Sequence, residues 1–326
     1  MTKFFPTLFL LLVFTADLCI GTFDKVVIWG HKLHSHTHSY IHGAFFAGFQ
    51  HLGYCTYWLD NETAPVDFDY ANTLFLTEGQ VDQNIPLRSD CIYLVHNPGC
   101  PSKYRDLQTA FFQVYTDDVL AYPSFEKVGP CIYFDLQGKC LYMPWATDLL
   151  PNEIEVIKSN LATVQQSRSI FWIGTVGDGR FGNREELLPF INACNENGIP
   201  FIAKNSSGTG ISQKEHIQLI SSSYMAPAIV GSWQKEVGYI PCRIFKNISY
   251  GQMGITNSYR VYELFEGKII YNSDSYQLFY DAQERLAQLH PDELVSLVEF
   301  VQTKHTYLNR IHTMLDFLQR LGFIEN

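Results

Sequence analysis

The sequence predicts an α/β fold made of two similar halves, each of which opens with a strand, a polar loop and a helix. The first half begins with KVVIW (25–29), a short run rich in β-branched residues, and a helical repeat of apolar residues lies within 39–54. The same order recurs where SIFWIG (169–174) precedes a glycine-rich loop and the helical segment 184–198. Strands that alternate with helices are typical of a parallel sheet covered by helices. The repeated opening therefore predicts two βαβ units.

The chain length and a change of pattern near residue 150 define the predicted domains. The 326 residues exceed one ordinary hydrophobic core, which stops growing at about 250–300 residues. We expect a signal peptide or anchor at 1–22, a first domain at 23–150, a second domain at 151–290 and a C-terminal long helix at 291–326. The helix prediction rests on an apolar stripe at helical spacing, formed by Leu294, Val298, Val301, Leu308, Ile311, Leu315 and Leu318.

The charge of the chain argues against nucleic acid as a partner. The formal net charge is −10, and no cluster of Lys and Arg offsets the acidic excess. Proteins that bind nucleic acid present a basic patch or stripe to the phosphate backbone. Smaller basic pockets for a single anionic ligand are compatible with this composition.

The first 22 residues have the order of a secretory signal peptide. Lys3 is followed by an apolar run from Phe4 to Phe14 and then by small residues. The run is short for a membrane span, which needs about 20 apolar residues, and Asp17 interrupts it. We expect either a cleaved signal or an N-terminal anchor that associates with a membrane. Both predict a protein of the secretory pathway, exported or anchored on the non-cytosolic side.

Seven cysteines follow Cys19, so at least one thiol is unpaired in an exported chain. Cys131 and Cys140 flank a predicted turn and either pair across a hairpin or are buried thiols. No CxxC pair indicates a structural zinc site.

Two loops of the second half are candidates for phosphate binding, because ligands of such sheets bind where strands lead into helices. The first is GTVGDGRFGN (174–183), in which glycines allow a ligand to approach the backbone closely and Arg180 supplies a cation. Alternatively, the glycines are needed only for the turn between the strand and the helix. The second follows Gly238, where Pro241 leads into a short helix that carries Arg243 and Lys246. An Arg in the first turn of a helix is well placed to bind a diphosphate. The alternative is that Arg243 is an ordinary surface residue of this helix.

The second half resembles a known family. The stretches IPCRIFKNISYGQMGITN and YELFEGKIIYNSDSYQLFYDA look like the carboxyl-terminal half of GT-B glycosyltransferases, closest to the CgeB-like and family 1 and 4-like group. FWIGTVGDGR, preceded by DLLPNEIE, is similar to the opening of that half. The resemblance covers about Asp148 to Ala282 and is only architectural over the amino-terminal half.

The resemblance implies two Rossmann-like domains that face each other across a cleft, and a hexosyltransferase-like activity. A nucleotide-sugar would be held mainly by the second domain as a substrate, with no obligatory metal or cofactor. A glycan, lipid or protein acceptor would enter from the first. Arg243 matches the Arg of the family motif, and Gly251 matches its small turn residue. The donor-binding residues implied in this way are Gly174, Thr175, Gly177, Arg180, Gly238, Tyr239, Arg243, Lys246 and Asn257.

One residue departs from the family pattern. The family often has a Glu directly after the RIF triplet, where it contacts the donor ribose, and this chain has Lys246. An ammonium group cannot accept hydrogen bonds from ribose hydroxyls. The adjacent Asn247 begins a glycosylation sequon, and a glycan there would disrupt a donor site. A non-catalytic nucleotide- or glycan-binding protein on a GT-B scaffold is therefore the alternative function.

The loop WGHKLHSHTHSYIHG (29–43) contains five histidines and follows the first predicted strand. In a GT-B arrangement this loop faces the cleft, and a His at the start of the next helix could take the proton of an acceptor hydroxyl. His38 and His42 are the catalytic candidates. Two other interpretations remain open: the histidines line a polar loop, or the HSHTH segment binds Zn or Cu in an exported metal-binding protein.

Two DxD-like pieces raise a different fold, GT-A, in which carboxylates hold a divalent metal under the diphosphate. They contain Asp67 with Asp69, and Asp117 with Asp118. The duplicated βαβ layout favours GT-B.

Overall fold

The computed structural model describes residues 23–32, 37–115, 124–204 and 211–325. The predicted signal segment, His34, His36, Asp117, Asp118 and the sequon at Asn205 lie outside the described residues. Within the described ranges, no helix combines the length and apolar character that a membrane crossing requires.

The first domain is built on an eight-stranded sheet in the order β2-β1-β3-β4-β5-β8-β7-β6. The first six strands in this order, β2, β1, β3, β4, β5 and β8, are parallel to one another. Strand β7 is antiparallel to both of its neighbours, β8 and β6. The strands are β1 Lys25–Trp29, β2 Thr56–Leu59, β3 Thr73–Glu78, β4 Ile92–His96, β5 Gln108–Gln113, β6 Glu126–Gly129, β7 Ile132–Asp135 and β8 Cys140–Tyr142. Helix α1, Thr37–His51, follows β1, and a 3-10 turn lies at Pro101–Tyr104.

The two central strands, β3 and β4, are buried over their whole lengths. Burial on both faces is characteristic of parallel sheets, whose crossover segments cover both sides. The polar residues that end these strands, Glu78 and His96, are therefore buried as well. Buried polar groups need hydrogen-bond partners. The carboxyl ends of β3 and β4 are therefore places to look for a cluster of interacting polar side chains.

The second domain contains the parallel strands β9 to β13, in two pieces ordered β10-β9 and β11-β12-β13. The backbone N–H of Tyr224 donates to the carbonyl of Ser169 (2.9 Å), which joins the pieces next to β9. The strands are β9 Ile170–Ile173, β10 Phe201–Lys204, β11 Pro227–Ala228, β12 Ile255–Thr256 and β13 Ile270–Tyr271. The helices are α2 Pro151–Asn160, α3 Arg184–Glu196, α4 Gln213–Ser221, α5 Ser232–Glu236, α6 Cys242–Ser249, α7 Tyr259–Leu264 and α8 Ser275–Ala287, with a 3-10 turn at Leu161–Thr163.

The single long helix expected at 291–326 is wrong: the segment forms two helices, α9 Pro291–Lys304 and α10 Tyr307–Arg320. The break is capped by Thr306, whose backbone N–H and hydroxyl donate to Asn309 Oδ1 at 2.9 and 2.8 Å. Helix α9 packs on the core of the second domain, and α10 returns to the core of the first. The apolar stripe continues through the break because both helices bury one face.

The two chain crossings between the domains lie side by side. The backbone N–H of Thr147 donates to the carbonyl of His305 at 3.0 Å. Arg310 is fully buried, and its guanidinium donates to the carbonyls of Pro144 (2.7 Å) and Trp145 (2.9 Å) and contacts His305 Nδ1 (3.0 Å). One side chain therefore ties both crossings together at the base of the interdomain region.

Candidate functional site

Two groups of polar side chains lie at the carboxyl ends of the strands, one in each domain. The histidine cluster, in the first domain, consists of His31, His38, His42, Glu78 and His96. The cation cluster consists of Arg243 and Lys246 of the second domain with the side chains that hold them: Trp172, Tyr250 and, from the chain crossing, Asp148. Carboxyl ends of parallel strands are the usual ligand-binding edge of such sheets.

A carboxylate and an imidazole form the centre of the histidine cluster. His31 Nε2 lies 3.1 Å from Glu78 Oε2, and both side chains are almost completely buried. The backbone N–H of Gln80 donates to the same oxygen at 3.0 Å. Burial alone would raise the pKa of Glu78, but the hydrogen bonds from His31 and Gln80 outweigh it and hold that pKa below its usual value. Glu78 is thus a charged acceptor inside the protein.

Two further histidines are fixed by backbone carbonyls. His42 Nδ1 lies 3.0 Å from the carbonyl oxygen of Gly30, and His96 Nδ1 lies 3.1 Å from that of Phe112. Burial lowers the pKa of His42 to about 3 and that of His96 to about 4. Both imidazoles are therefore neutral and donate through Nδ1.

His38 lies in the first turn of α1 and is only partly buried. Its ring centre is 5.3 Å from that of His31, 5.6 Å from that of His96 and 6.3 Å from that of Trp145. The structure thus brings both predicted catalytic residues into one cluster, with His38 the more accessible of the two.

The backbone supports the assignment of this edge as a functional site. His31 lies two residues after the end of β1, and Asn97 directly follows β4; their φ angles are positive, at 54° and 45°. Non-glycine residues adopt the left-handed region at an energetic cost, and such residues concentrate at functional sites.

In the cation cluster, no carboxylate of the described residues pairs with the guanidinium of Arg243. The guanidinium lies 3.6 Å from the ring centre of Trp172, and Nη2 donates to the carbonyl of Ile173 at 3.0 Å. Burial lowers its pKa to about 10, so it stays charged at neutral pH. Gly174, with φ of +133°, lies against this guanidinium, and a Cβ at Gly174 would clash with it. The loop that begins at Gly174 and the helix that carries Arg243 therefore meet at the guanidinium.

Lys246 is held quite differently. Its Nζ forms an ion pair with Asp148 Oδ2 at 3.0 Å, and both side chains are about nine-tenths buried. Tyr250 Oη donates to Asp148 Oδ1 at 2.7 Å. Burial would raise the pKa of Asp148, but Lys246 and Tyr250 outweigh it and lower the pKa. The ammonium also lies 4.8 Å from the ring centre of Tyr40 on α1, which brings the cation cluster against the first domain.

The other predicted donor residues are spread over the second domain. Thr175, Gly177 and Arg180 belong to the loop after β9; Arg180 is exposed, stacks near Trp233 (5.5 Å) and lines a pocket of about 510 Å³ that also contains acidic side chains. Gly238 has a φ of +64° in the loop before α6.

Two predicted donor residues lie within the packing of the fold. The ring centre of Tyr239 is 5.8 Å from that of Tyr115. Asn257 is buried; its Oδ1 accepts from Val230 N (2.9 Å), and its Nδ2 donates to Val230 O (3.0 Å) and Glu186 Oε2 (3.1 Å). These bonds satisfy its polar atoms within the fold.

Other predicted features are not part of either cluster. Asn247 is buried and donates through Nδ2 to the carbonyl of Ala226 (2.8 Å), so the folded chain does not present this sequon. Asp67 and Asp69 are exposed and precede β3, at the opposite edge of the sheet from the histidine cluster. Cys131 and Cys140 are free thiols rather than a disulfide.

Sequence reasoning missed His31, Glu78 and Asp148. A weak signal exists for Glu78, because a carboxylate that ends the apolar strand TLFLTE is unusual for a buried strand. Asp148 and Lys246 are far apart in sequence, and no local pattern links them.

Comparisons with known proteins concern the fold. No protein-family model matches the chain, and no curated protein matches it. An α-glucosyltransferase solved in complex with UDP and a 13-mer DNA containing a central A:G mismatch is similar in structure, with a TM-score of 0.59 at 8% sequence identity; the match covers 90% of this chain and 99% of that one. The apo structure of OtsA gives a TM-score of 0.45 at 11% identity, covering 87% and 77%. The likeness to the α-glucosyltransferase spans both domains, and this chain has the GT-B fold: two Rossmann-like domains that face each other across a cleft, followed by C-terminal helices.

Proposed function

We propose that this protein is a glycosyltransferase that moves a sugar from a nucleotide-sugar donor to a hydroxyl group of a glycan, lipid or protein acceptor. The observation that supports this most is the pairing of two unlike clusters in a GT-B fold. The cation cluster offers a guanidinium for a diphosphate, and the histidine cluster offers imidazoles for a hydroxyl proton.

On the donor side, Arg243 would stabilise the leaving group. When the bond between the sugar C1 and the diphosphate oxygen breaks, negative charge develops on the diphosphate. A guanidinium fork that is already oriented stabilises this charge without reorganisation. Trp172 and the Ile173 carbonyl orient Arg243 before any ligand arrives. Arg180, on the exposed loop after β9, would add a second cation.

On the acceptor side, His38 would act as the general base. As the new bond forms between C1 and the acceptor oxygen, the hydroxyl proton passes to the imidazole, and nucleoside diphosphate and glycoside are the products. His42 is the second candidate, but its Nδ1 is engaged by the Gly30 carbonyl and its burial makes it a weak base. We therefore assign the base role to His38 and a supporting role to His42.

The alternative is a non-catalytic nucleotide- or glycan-binding protein with the same fold. It is favoured by Lys246, which is neutralised by Asp148 at the position where the resemblance implies a carboxylate for the donor ribose. Such a protein would bind nucleotide or glycan and release no product.

The test is release of nucleoside diphosphate from a panel of UDP- and GDP-sugars by the purified protein, with Arg243→Ala beside it. We expect slow release by the wild type and a loss of about 100-fold or more in the variant. Binding without release would support the binding protein. A protein that neither binds nor turns over any of these nucleotide-sugars would contradict the enzyme and the nucleotide-binding form of the alternative.

A further inference from the structure

We propose that His31, His38 and Glu78 bind a divalent transition-metal ion, best matched by Zn²⁺, in a site with one coordination position open to ligand. The candidate ligand atoms of these three side chains all lie within 4.8 Å of one another. Among the described residues, this is the group of His, Cys, Asp and Glu side chains that converges in this way. The ion-binding proposal does not depend on glycosyl transfer.

The spacing fits a small ion with nitrogen and oxygen ligands. Bonds of about 2.0–2.2 Å in a tetrahedral arrangement place neighbouring ligand atoms roughly 3.3–3.5 Å apart. The pair His31 Nε2 and Glu78 Oε2, at 3.1 Å, is already near that separation. The candidate ligand atom of His38, in the first turn of α1, lies within 4.8 Å of the other two, and this partly exposed side chain is the one that would move toward the ion.

The ligand types favour zinc over a hard cation such as Mg²⁺ or Ca²⁺. Two imidazoles with one carboxylate form a common zinc ligand set, whereas magnesium and calcium prefer oxygen ligands. The Glu78 carboxylate offsets part of the ion's charge inside the protein, which an all-histidine set would not do. This set also differs from the HSHTH segment considered from sequence, since it shares only His38 with that segment.

The surrounding contacts hold the ligands in place, as metal sites require. The Gln80 N–H fixes Glu78 Oε2, and the ring of His42 packs edge-on against His31, with centres 5.1 Å apart. The left-handed backbone of His31 directs its side chain toward the end of β3. These supports come from strand ends and a helix, which are rigid parts of the domain.

With three protein ligands, the fourth tetrahedral position of the ion is left for an outside ligand. His31 also lines a neighbouring pocket of about 330 Å³, whose walls carry Lys32 together with amide and carboxylate side chains, among them Asp60, Gln80 and Asn84; neither Glu78 nor His38 lines this pocket. Three protein ligands that leave a fourth position free are typical of zinc that acts on a bound oxygen.

A catalytic consequence follows, and it rests on the proposed glycosyltransferase function. An acceptor hydroxyl bound to the ion would lose its proton more readily, because the ion stabilises the alkoxide. In the loaded protein His38 would then serve as a ligand, and the hydroxyl proton would leave to solvent or to another base.

The test is Zn²⁺ binding to the purified, metal-stripped full chain by titration calorimetry, together with the visible absorption of bound Co²⁺. We expect one ion per chain with a tetrahedral cobalt spectrum. Because contacts outside the ligand set alone are worth roughly 10–100-fold in affinity, Glu78→Gln and His38→Ala should each weaken binding by more than about 100-fold. His312→Ala, which removes an exposed histidine of α10, is the matched control and should leave binding unchanged. Far-UV circular dichroism establishes that each variant is folded.

Two results would overturn the site. One is a folded wild-type protein that binds no Zn²⁺ or Co²⁺. The other is binding that survives Glu78→Gln but disappears in the double variant His34→Ala and His36→Ala, which would assign the ion to the HSHTH segment. The ion titration contains no nucleotide, so its outcome is independent of the transfer assay. A protein that binds the ion but transfers no sugar would contradict only the proposed enzyme. Glycosyl transfer that persists in a chelator would contradict only the catalytic consequence.

Discussion

The two faces of the cleft use ionisable groups in opposite ways. In the histidine cluster, His42 and His96 are neutral imidazoles held by backbone carbonyls, and Glu78 is a charged carboxylate. In the cation cluster, the guanidinium of Arg243 and the ammonium of Lys246 are held by rings, a carbonyl and a carboxylate. The first face can therefore accept a proton or a cation, whereas the second can only hold an anion.

The cation cluster itself contains a second contrast. Arg243 is positioned by a ring and a carbonyl, so its charge is available to a ligand. Lys246 is positioned by a buried carboxylate, so its charge is already compensated. The comparison assigns diphosphate binding to Arg243 and structural support to Lys246.

The largest expected effect is the loss of stability when the ion pair between Lys246 and Asp148 is broken. Lys246→Met leaves the buried Asp148 charge without its cation, and removing one partner of a buried ion pair costs about 3–5 kcal/mol in the free energy of unfolding. Urea unfolding followed by circular dichroism measures this. The double variant Lys246→Met and Asp148→Asn is the control and should recover most of the loss. A loss below about 1 kcal/mol in the single variant would contradict a structural role for Lys246.

Arg243→Ala should weaken the binding of nucleoside diphosphate by about 100-fold, which corresponds to roughly 2.7 kcal/mol. Because the guanidinium packs on the buried ring of Trp172, far-UV circular dichroism is needed to establish that the variant is folded. Calorimetric titration with UDP and GDP measures the change. Arg320→Ala, which removes an exposed Arg of α10, should not alter affinity. Equal affinities for the wild type and Arg243→Ala would remove the basis for the donor assignment.

A pH titration tests the buried imidazole beside the cation cluster. Burial, followed by the charge of Lys246, lowers the pKa of His216 to about 3, whereas the unfolded chain takes up a proton near pH 6.5. The contribution of His216 to stability is therefore complete above pH 6.5 and falls as the pH decreases below it. Between pH 7 and pH 5 this contribution to the free energy of unfolding falls by about 2 kcal/mol. The variant His216→Phe lacks the imidazole, so its stability should fall by about 2 kcal/mol less than that of the wild type over this range. Identical dependence of stability on pH in the two proteins would refute the lowered pKa of His216.

The smallest expected effect comes from the glycine beneath the guanidinium. Gly174→Ala should displace Arg243 and weaken nucleotide binding by about 10-fold, or roughly 1.4 kcal/mol. Gly198→Ala is the matched control, because Gly198 also has a positive φ (+64°) but has no heavy atom near the added Cβ. Gly174→Ala should lose more stability than Gly198→Ala, because its φ of +133° is essentially restricted to glycine and its Cβ would meet the guanidinium. Only Gly174→Ala should lose affinity. Equal loss of affinity in both would mean that the contact with Arg243 is irrelevant.

Local patterns in the sequence predicted the architecture because each strand and helix carries its own periodicity and its own stop. The resemblance to GT-B glycosyltransferases, rather than any local pattern, implied that Gly174 and Arg243 belong to one donor site, and in the structure the two residues are in contact. The break in the last helix was missed because the apolar stripe continues through Thr306, although Thr306 and Asn309 have the spacing of a cap.

The partners of the site residues could not be predicted locally. His31 and Glu78 are 47 positions apart, and they meet because β1 and β3 are neighbours in the sheet. Asp148 reaches Lys246 only because the chain crossing lies against α6. Such pairs depend on strand order and domain packing, which residue spacing does not encode.

Turnover of nucleotide-sugars by wild type, His38→Ala and His312→Ala tests the central claim, that the two clusters act together on a sugar donor and a hydroxyl acceptor. We expect nucleoside diphosphate release by wild type and by His312→Ala, and a reduction of about 100-fold or more in His38→Ala, since positioned proton transfer contributes roughly 10²–10⁴-fold. Equal turnover in His38→Ala and wild type, or no turnover of any UDP- or GDP-sugar by the folded wild-type protein, would contradict the claim.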